Sequence, residues 1–275
     1  MAERKDRVEA ACAAVAEEGV ELPGRARTVQ LAHAAALLSQ DAALETARYR
    51  LEALIRGLPP EPVETTALLA DARATGLNDE CADFAVTSPP YINVFNYHQV
   101  GRPLSDAFGW PVLAAARSEI GSNRQNRGNR FRTVVQYSID MGLMVAELSR
   151  LLRDGATAVL VLGRVSRVRG VAFFNGEIVG RLAEQTRAFR QFSKGERFFV
   201  NRFGESIVED ILVLGASQHT ALSDDEVIDL ARTIGVEALE YAVTSEDTAS
   251  DVTEAIEVAS DICPSPKIEA GLDLV

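Results

Sequence analysis

Five consecutive residues, Thr87 to Tyr91 (TSPPY), carry the groups best suited to chemistry in this sequence. They follow an apolar run, 83–86, that predicts a buried strand. Two successive prolines end that strand in a rigid turn, because they lack the N–H groups that a sheet needs. The Ser88 hydroxyl and the carbonyl oxygens of Ser88 and Pro89 can accept hydrogen bonds from an amino group on a planar base. Since the Tyr91 ring offers a surface for stacking that base, the amino group could attack an electrophilic methyl group.

This turn resembles the catalytic motif of the amino-group DNA methyltransferases, which methylate cytosine N4 or adenine N6 with S-adenosylmethionine. The resemblance covers about 65–214, where 151–164 is similar to the helix-turn-strand after the catalytic loop and 201–215 to the closing hairpin. It implies site-specific DNA methylation, with a serine at the first motif position favouring cytosine N4. Adenine N6 and RNA remain alternative substrates. The implied catalytic residues are Ser88, Pro89, Pro90 and Tyr91.

The resemblance also implies S-adenosylmethionine as co-substrate. Asp71 ends a predicted strand where the family contacts the adenine of this molecule, although a strand-end cap explains it equally well, and Thr87 is assigned to the same site. The family's glycine motif, Phe-x-Gly-x-Gly after a first strand, is missing from the sequence. Three hypotheses therefore stay open: a second polypeptide supplies the cofactor half, the enzyme is truncated or degenerate, or the chain is a non-catalytic DNA-binding subunit or pseudoenzyme.

The predicted elements favour an α/β fold: a partial Rossmann-like methyltransferase sheet between a helical N-terminal region and an acidic helical tail. The expected boundaries are 1–62, 63–215 and 216–275. Helices are predicted over 131–153, 175–188 with Asn175 as cap, 223–243 and 248–260, and strands over 65–70, 83–87, 156–163, 196–200 and 208–214. In the family's order, 3-2-1-4-5-7-6, these strands are numbers 3 to 7. Without strands 1 and 2, the strand over 83–87 would expose an open edge.

The charge distribution favours a polyanionic partner, and the resemblance makes that partner double-stranded DNA. The net charge is −12, yet residues 81–215 hold 17 basic and 12 acidic side chains, while 216–275 hold 2 and 14. A basic central segment can attract DNA whatever the total charge. The acidic tail is either a docking surface or a solvated extension. The candidate DNA-binding residues are Tyr97, His98, Arg117, Arg124, Arg127, Arg130, Arg132, Arg164, Arg167 and Arg169.

Other features exclude several classes of protein. The three cysteines are far apart and form no CxxC, and the three histidines are scattered, so neither a disulfide framework nor a metal site is predicted. No apolar run approaches the ~20 residues of a membrane span. The N-terminus lacks the apolar core of a signal peptide. We therefore expect a cytoplasmic protein that binds no metal and no membrane.

Overall fold

The computed structural model describes residues 68, 70–92, 97–99, 102, 112–122, 126–200, 204–217 and 222–268. The chain forms two compact units, one made of Leu69–Asn96 and Ala116–Asp273, the other of Met1–Leu68, Tyr97–Ala115 and Leu274–Val275. The predicted helical region 1–62 lies outside the described residues. Of the predicted strand 65–70, only Leu68 and Ala70 are described, and neither belongs to a strand.

A mixed four-stranded sheet lies in the larger unit. In chain order the strands are β1 (Ala82–Thr87), β2 (Leu152–Gly163), β3 (Val165–Val168), β4 (Val171–Phe174), β5 (Phe189–Val200) and β6 (Ser206–Ala216). The sheet has the order β1-β2-β6-β5, and β3 with β4 forms a separate hairpin that we had not predicted. β1 and β2 are parallel, whereas β6 is antiparallel to both of its neighbours. This is the expected order 4-5-7-6, so the prediction for these four strands is confirmed.

The helices are α1 (Val112–Ser118), α2 (Arg132–Leu151), α3 (Asn175–Gln185), α4 (Asp224–Glu240) and α5 (Glu246–Glu257), with short 3-10 turns at Tyr97–Gln99 and Ala259–Asp261. A capping box begins α4, since the Ser223 hydroxyl accepts from the Glu226 N–H and the Glu226 carboxylate accepts from the Ser223 N–H. None of the helices in the described ranges is long and apolar enough to cross a membrane.

One face of the sheet forms the hydrophobic core. Ala158, Leu160, Leu212 and Leu214 are fully buried and belong to one cluster with apolar residues of α2, α3 and α4. α4 contributes Val227, Ala231, Ile234 and Leu239 to this cluster. The predicted acidic tail, 216–275, is described to residue 268 and packs one face of its first helix into the core of the α/β unit.

The opposite face of the sheet is open over much of its area. Side chains alternate between faces along a strand, so Val86, Val159 and Val213 share the face opposite to Leu160 and Leu212. Phe84 is 57% exposed and Val86 64% exposed. Because β1 pairs only with β2 among the described strands, these apolar side chains lie at the end of the sheet. We call this side, with its site residues, the open face.

Candidate active site

The TSPPY turn lies at the carboxyl end of β1 and is fixed to β2. The Ser88 hydroxyl donates a hydrogen bond of 3.0 Å to the carbonyl oxygen of Val161 on β2. Pro89 is buried, while Ser88 is exposed. With its proton directed at Val161, the hydroxyl oxygen keeps its lone pairs as acceptors. The geometry thus leaves an exposed acceptor at the end of a rigid strand.

Two glycines let Tyr91 approach the sheet. A Cβ atom at Gly163, the last residue of β2, would lie 2.8 Å from Cε2 of the Tyr91 ring. A Cβ atom at Gly121, whose φ is +77°, would lie 2.6 Å from the Tyr91 carbonyl oxygen. At Gly121 only glycine allows both the close contact and the positive φ, and at Gly163 only glycine leaves room for the ring. The half-buried ring therefore lies directly against the end of β2.

The Tyr91 hydroxyl enters a polar row that crosses the sheet. It donates to Oε1 of Glu209 on β6 at 3.2 Å, and its oxygen lies 3.4 Å from the Ser88 Oγ. Arg197 Nε on β5 donates to the other Glu209 oxygen at 2.5 Å. The register explains the row, because Gly163 is opposite Glu209 and Glu209 is opposite Arg197. Sequence reasoning missed both charged residues.

Asn175 connects Ile92, which follows the turn, to the end of β2. Its Nδ2 donates to the Gly163 carbonyl oxygen at 2.6 Å and to Ser166 Oγ at 2.9 Å, and its Oδ1 accepts from the Ile92 N–H at 3.3 Å. The predicted role of Asn175 as helix cap is wrong, since Phe174 takes the N-cap position of α3 without a side-chain bond. The fully buried Asn175 instead satisfies main-chain groups from two distant segments.

Asp71 makes a buried ion pair with Arg73. Its Oδ1 accepts from the Arg73 N–H and Nε at 2.9 and 2.8 Å, and its Oδ2 accepts from Arg73 Nη2 at 2.7 Å and from the Ile268 N–H at 2.9 Å. Burial acts to raise the Asp71 pKa, but the hydrogen bonds from Arg73 and Ile268 outweigh it and lower the pKa. These four bonds occupy the lone pairs of the carboxylate, so the predicted contact with an adenine amino group would require the exchange of one of them. Thr87, the other predicted cofactor contact, is half-buried at the end of β1.

The same arginine ties the end of the described chain to α2. Arg73 Nη1 donates to Asp140 Oδ1 at 2.5 Å and to the Ser265 carbonyl oxygen at 2.9 Å. Asp140 also accepts from the Ser265 hydroxyl at 2.6 Å. Burial raises the Asp140 pKa although Arg73 opposes the rise. This cluster holds the segment around Asp71, α2 and the C-terminal segment in one arrangement.

Three arginines follow β2, and they contact groups other than those of the turn: Arg164, Arg167 and Arg169. Arg164 pairs with Asp210 at 2.8 Å and with Glu196. Asp210 follows Glu209 by one residue on β6, and Glu196 precedes Arg197 by one residue on β5. By alternation Arg164 therefore lies on the face opposite to Tyr91. Arg167 donates to the Gly170 carbonyl oxygen at 3.0 Å, and Arg169 pairs with Asp251 of α5.

The predicted arginine stretch is only partly described. Arg127 and Arg130 are exposed, Arg117 lies in the last turn of α1, and Arg124 is outside the described residues. Arg132 pairs with Glu254 of α5. Tyr97 and His98 form the 3-10 turn Tyr97–Gln99, which belongs to the smaller unit.

The described residues hold no group of three or more histidine, cysteine, aspartate or glutamate side chains placed to bind a metal ion. Cys81 and Cys263 are exposed and form no disulfide. Hydrogen-bond acceptors, an aromatic ring and the Glu209–Arg197 pair are thus the chemical groups at the turn.

Comparisons with known proteins give little similarity. No protein-family model matches the chain, and no curated protein matches it. A solved structure to which it is similar comes from Thermus thermophilus and bears the provisional name of DNA modification methylase. The two sequences are 16% identical, the match covers 57% of each chain, and the TM-score is 0.33. The geometry of the site itself therefore has to support any functional conclusion.

Proposed function

We propose that this chain carries the catalytic turn of a DNA methyltransferase that acts on the amino group of a base, with cytosine N4 favoured. The observation that supports the proposal is the fixed TSPPY turn, with the Ser88 hydroxyl held by Val161 and the Tyr91 ring held on Gly163. The turn combines an exposed hydrogen-bond acceptor with an aromatic surface in one rigid segment. A planar base with an amino group can use both, because its N–H groups bond to the acceptor and its ring stacks on the aromatic surface.

In this proposal the chain prepares the amino nitrogen for reaction. The Ser88 hydroxyl and the main-chain carbonyl oxygens of the turn accept the two N–H groups, which directs the nitrogen lone pair outward. Stacking on Tyr91 holds the base plane, a contact that contributes about 1–3 kcal/mol per base. A target inside a duplex must leave the stack to reach such a turn. After methylation the nitrogen returns to neutrality by releasing a proton to water.

We propose that a second polypeptide holds S-adenosylmethionine, which supplies the methyl group when it is bound. Two features support this division: the sequence lacks the glycine motif, and the Asp71 carboxylate is occupied by Arg73 and Ile268. Among the described strands β1 pairs only with β2, so its other edge is suited to receive further strands. Cofactor binding by the isolated chain tests the division. Micromolar affinity without a partner would contradict it.

The decisive experiment is transfer of labelled methyl from S-adenosylmethionine to double-stranded DNA. The chain is assayed alone and with the product of the adjoining gene. We expect transfer only in the mixture, with N4-methylcytosine as product. Recovery of N6-methyladenine, or transfer to RNA, would mean that the substrate is different but that the reaction is still methylation of an amino group. Transfer by the chain alone would show that it holds the cofactor itself.

Variants of the turn connect any activity to the proposed site. Tyr91→Ala and Pro89→Ala should remove most of the transfer, and Ser88→Ala should weaken it, because it deletes one acceptor and leaves the carbonyl oxygens. Tyr241→Ala is the matched control, since this tyrosine is exposed at the end of α4. Full activity in Tyr91→Ala would refute the stacking role.

The occupied Asp71 carboxylate also favours a second candidate, a DNA-binding subunit without catalysis. Such a protein would bind DNA with a steep salt dependence through its arginines. It would give no methyl transfer in either arm of the experiment. DNA binding without transfer would therefore favour this candidate.

A further inference from the structure

Beyond Tyr91, two more planar side chains continue the polar row along the open face. Arg197 Cζ lies 5.9 Å from the centroid of the Phe199 ring, within the range of a cation–π contact. Arg197 is joined to Tyr91 through Glu209, whose two oxygens accept one hydrogen bond from each. Tyr91, Arg197 and Phe199 therefore form one continuous series of flat groups, which we call the planar strip.

The strand register places the planar strip on a single face. Glu209 is paired with Arg197, and Phe199 follows Arg197 by two residues on β5, so both point to the same side. Phe198 lies between them and points to the opposite side. Two neighbouring phenylalanines thus differ in the face that they present, although both are exposed.

The charges around Arg197 favour stacking rather than phosphate binding. Its guanidinium donates through Nε to Glu209, which is buried, so a carboxylate already balances its charge and fixes its plane. Phe199 is 43% exposed at the edge of the sheet. A fixed guanidinium plane and an exposed ring are surfaces on which nucleobases stack with little dependence on sequence.

We propose that Arg197 and Phe199 form a nucleobase subsite, which holds a base next to the target in the same DNA strand. The inference rests on the proposed function, because it takes Tyr91 as the place of the target base. Its direct connection to the Tyr91 row supports DNA as the occupant.

The spacing of the strip selects an unstacked strand. Gly163, which carries the Tyr91 ring, and Arg197 lie two strands apart, which is about 9–10 Å, whereas successive bases of a duplex rise by about 3.4 Å. Bases that follow the strip must therefore be separated from each other. A strand from which the target has been extruded meets this requirement, and a fully paired duplex does not.

Fluorescence anisotropy with the full-length chain and two labelled duplexes tests the subsite. One duplex is fully paired and the other carries two adjacent mispaired bases. No cofactor or second polypeptide is needed. We expect Phe199→Ala to weaken binding of the mispaired duplex about tenfold, within the stacking range for one base, and to change binding of the paired duplex less than twofold. Phe199→Trp should restore the affinity.

Phe198→Ala is the matched control, because Phe198 is the adjacent residue, is 77% exposed and points to the opposite face. It should bind both duplexes like the unchanged protein. Equal losses in Phe198→Ala and Phe199→Ala, or unchanged binding in Phe199→Ala, would overturn the subsite while the proposed function stands. If the unchanged protein binds neither duplex, the proposed function fails, and the subsite fails with it.

Discussion

The two faces of the central sheet are built from similar strands but have different surroundings. On one face Leu160 and Leu212 are fully buried, and α2 and α3 pack against their strands. On the open face Phe84 and Val86 are exposed, and the Tyr91–Glu209–Arg197 row crosses the carboxyl end of β2. One face therefore maintains the fold of the larger unit, whereas the other leaves apolar and polar side chains exposed.

The comparison predicts unequal effects for neighbouring residues of β6. Leu212→Ala removes a buried side chain and should lower the free energy of unfolding by about 3 kcal/mol. Val213→Ala, one residue along and on the open face, should lower it by less than about 1 kcal/mol. Urea denaturation of the two variants measures both values. Equal losses would mean that the open face is packed as tightly as the core.

The free energy of unfolding should also depend on pH, through Glu147 on α2. Hydrogen bonds from Arg150, together with those from Thr75, lower the pKa of Glu147 on α2 from 4.5 to about 2. The unfolded chain therefore takes up this proton near pH 4.5, and the folded chain only near pH 2. Stability that is present above pH 4.5 falls through this window, by on the order of 2 kcal/mol.

Unfolding of Glu147→Gln across the same pH range provides the control, because this variant has no carboxyl to titrate at that position. We expect its stability to depend less steeply on pH between 4.5 and 2 than that of the unchanged protein. Parallel curves for the two proteins would show that Glu147 does not contribute.

A smaller effect is expected where the open face touches the turn. Gly163→Ala places a Cβ atom 2.8 Å from the Tyr91 ring, so the partly exposed ring must move. We expect about a tenfold loss of affinity for the mispaired duplex, equivalent to about 1.4 kcal/mol. Gly195→Ala is the matched control, because its Cβ atom would lie 3.9 Å from the nearest atoms of Ile211. Similar affinities for the two variants would show that the position of the Tyr91 ring does not determine binding of the mispaired duplex.

The smallest effect on stability is expected at the end of the sheet. Val86→Lys changes a side chain that is 64% exposed and should alter the free energy of unfolding by less than about 0.5 kcal/mol. The same charge on an edge strand should oppose pairing with another chain. Co-purification with the product of the adjoining gene measures this second effect. A loss of several kcal/mol in the isolated chain would mean that its own residues cover Val86.

Much of the sheet could be predicted because its strands are local apolar patterns. The run 156–163 predicts a buried strand, and the structure extends it back to Leu152. The strand over 196–200 begins earlier, at Phe189, because pairing with β6 stabilises residues whose own sequence is polar. The hairpin of β3 and β4 was missed, since its arginines were considered only as DNA contacts.

The site was predictable only where its residues are adjacent in sequence. The five residues of the turn are consecutive, whereas Glu209 lies 118 residues beyond Tyr91, and Asn175 lies 83 residues beyond Ile92, to which it is bonded. One signal was present, because two carboxylates, Glu209 and Asp210, interrupt an apolar strand. Counting the register back from the hairpin turn would have placed Arg197 opposite Glu209.

Helix α5 provides two of the predicted DNA-binding arginines with partners from the same chain. Arg132 pairs with Glu254, and Arg169 pairs with Asp251. A phosphate that reached either arginine would have to displace the carboxylate that is paired with it. A phosphate that bound an unpaired surface arginine would need no such exchange. The freed carboxylate would then gather salt cations and offset those that the phosphate releases. The slope of affinity against salt concentration would therefore understate the number of arginines in contact with DNA.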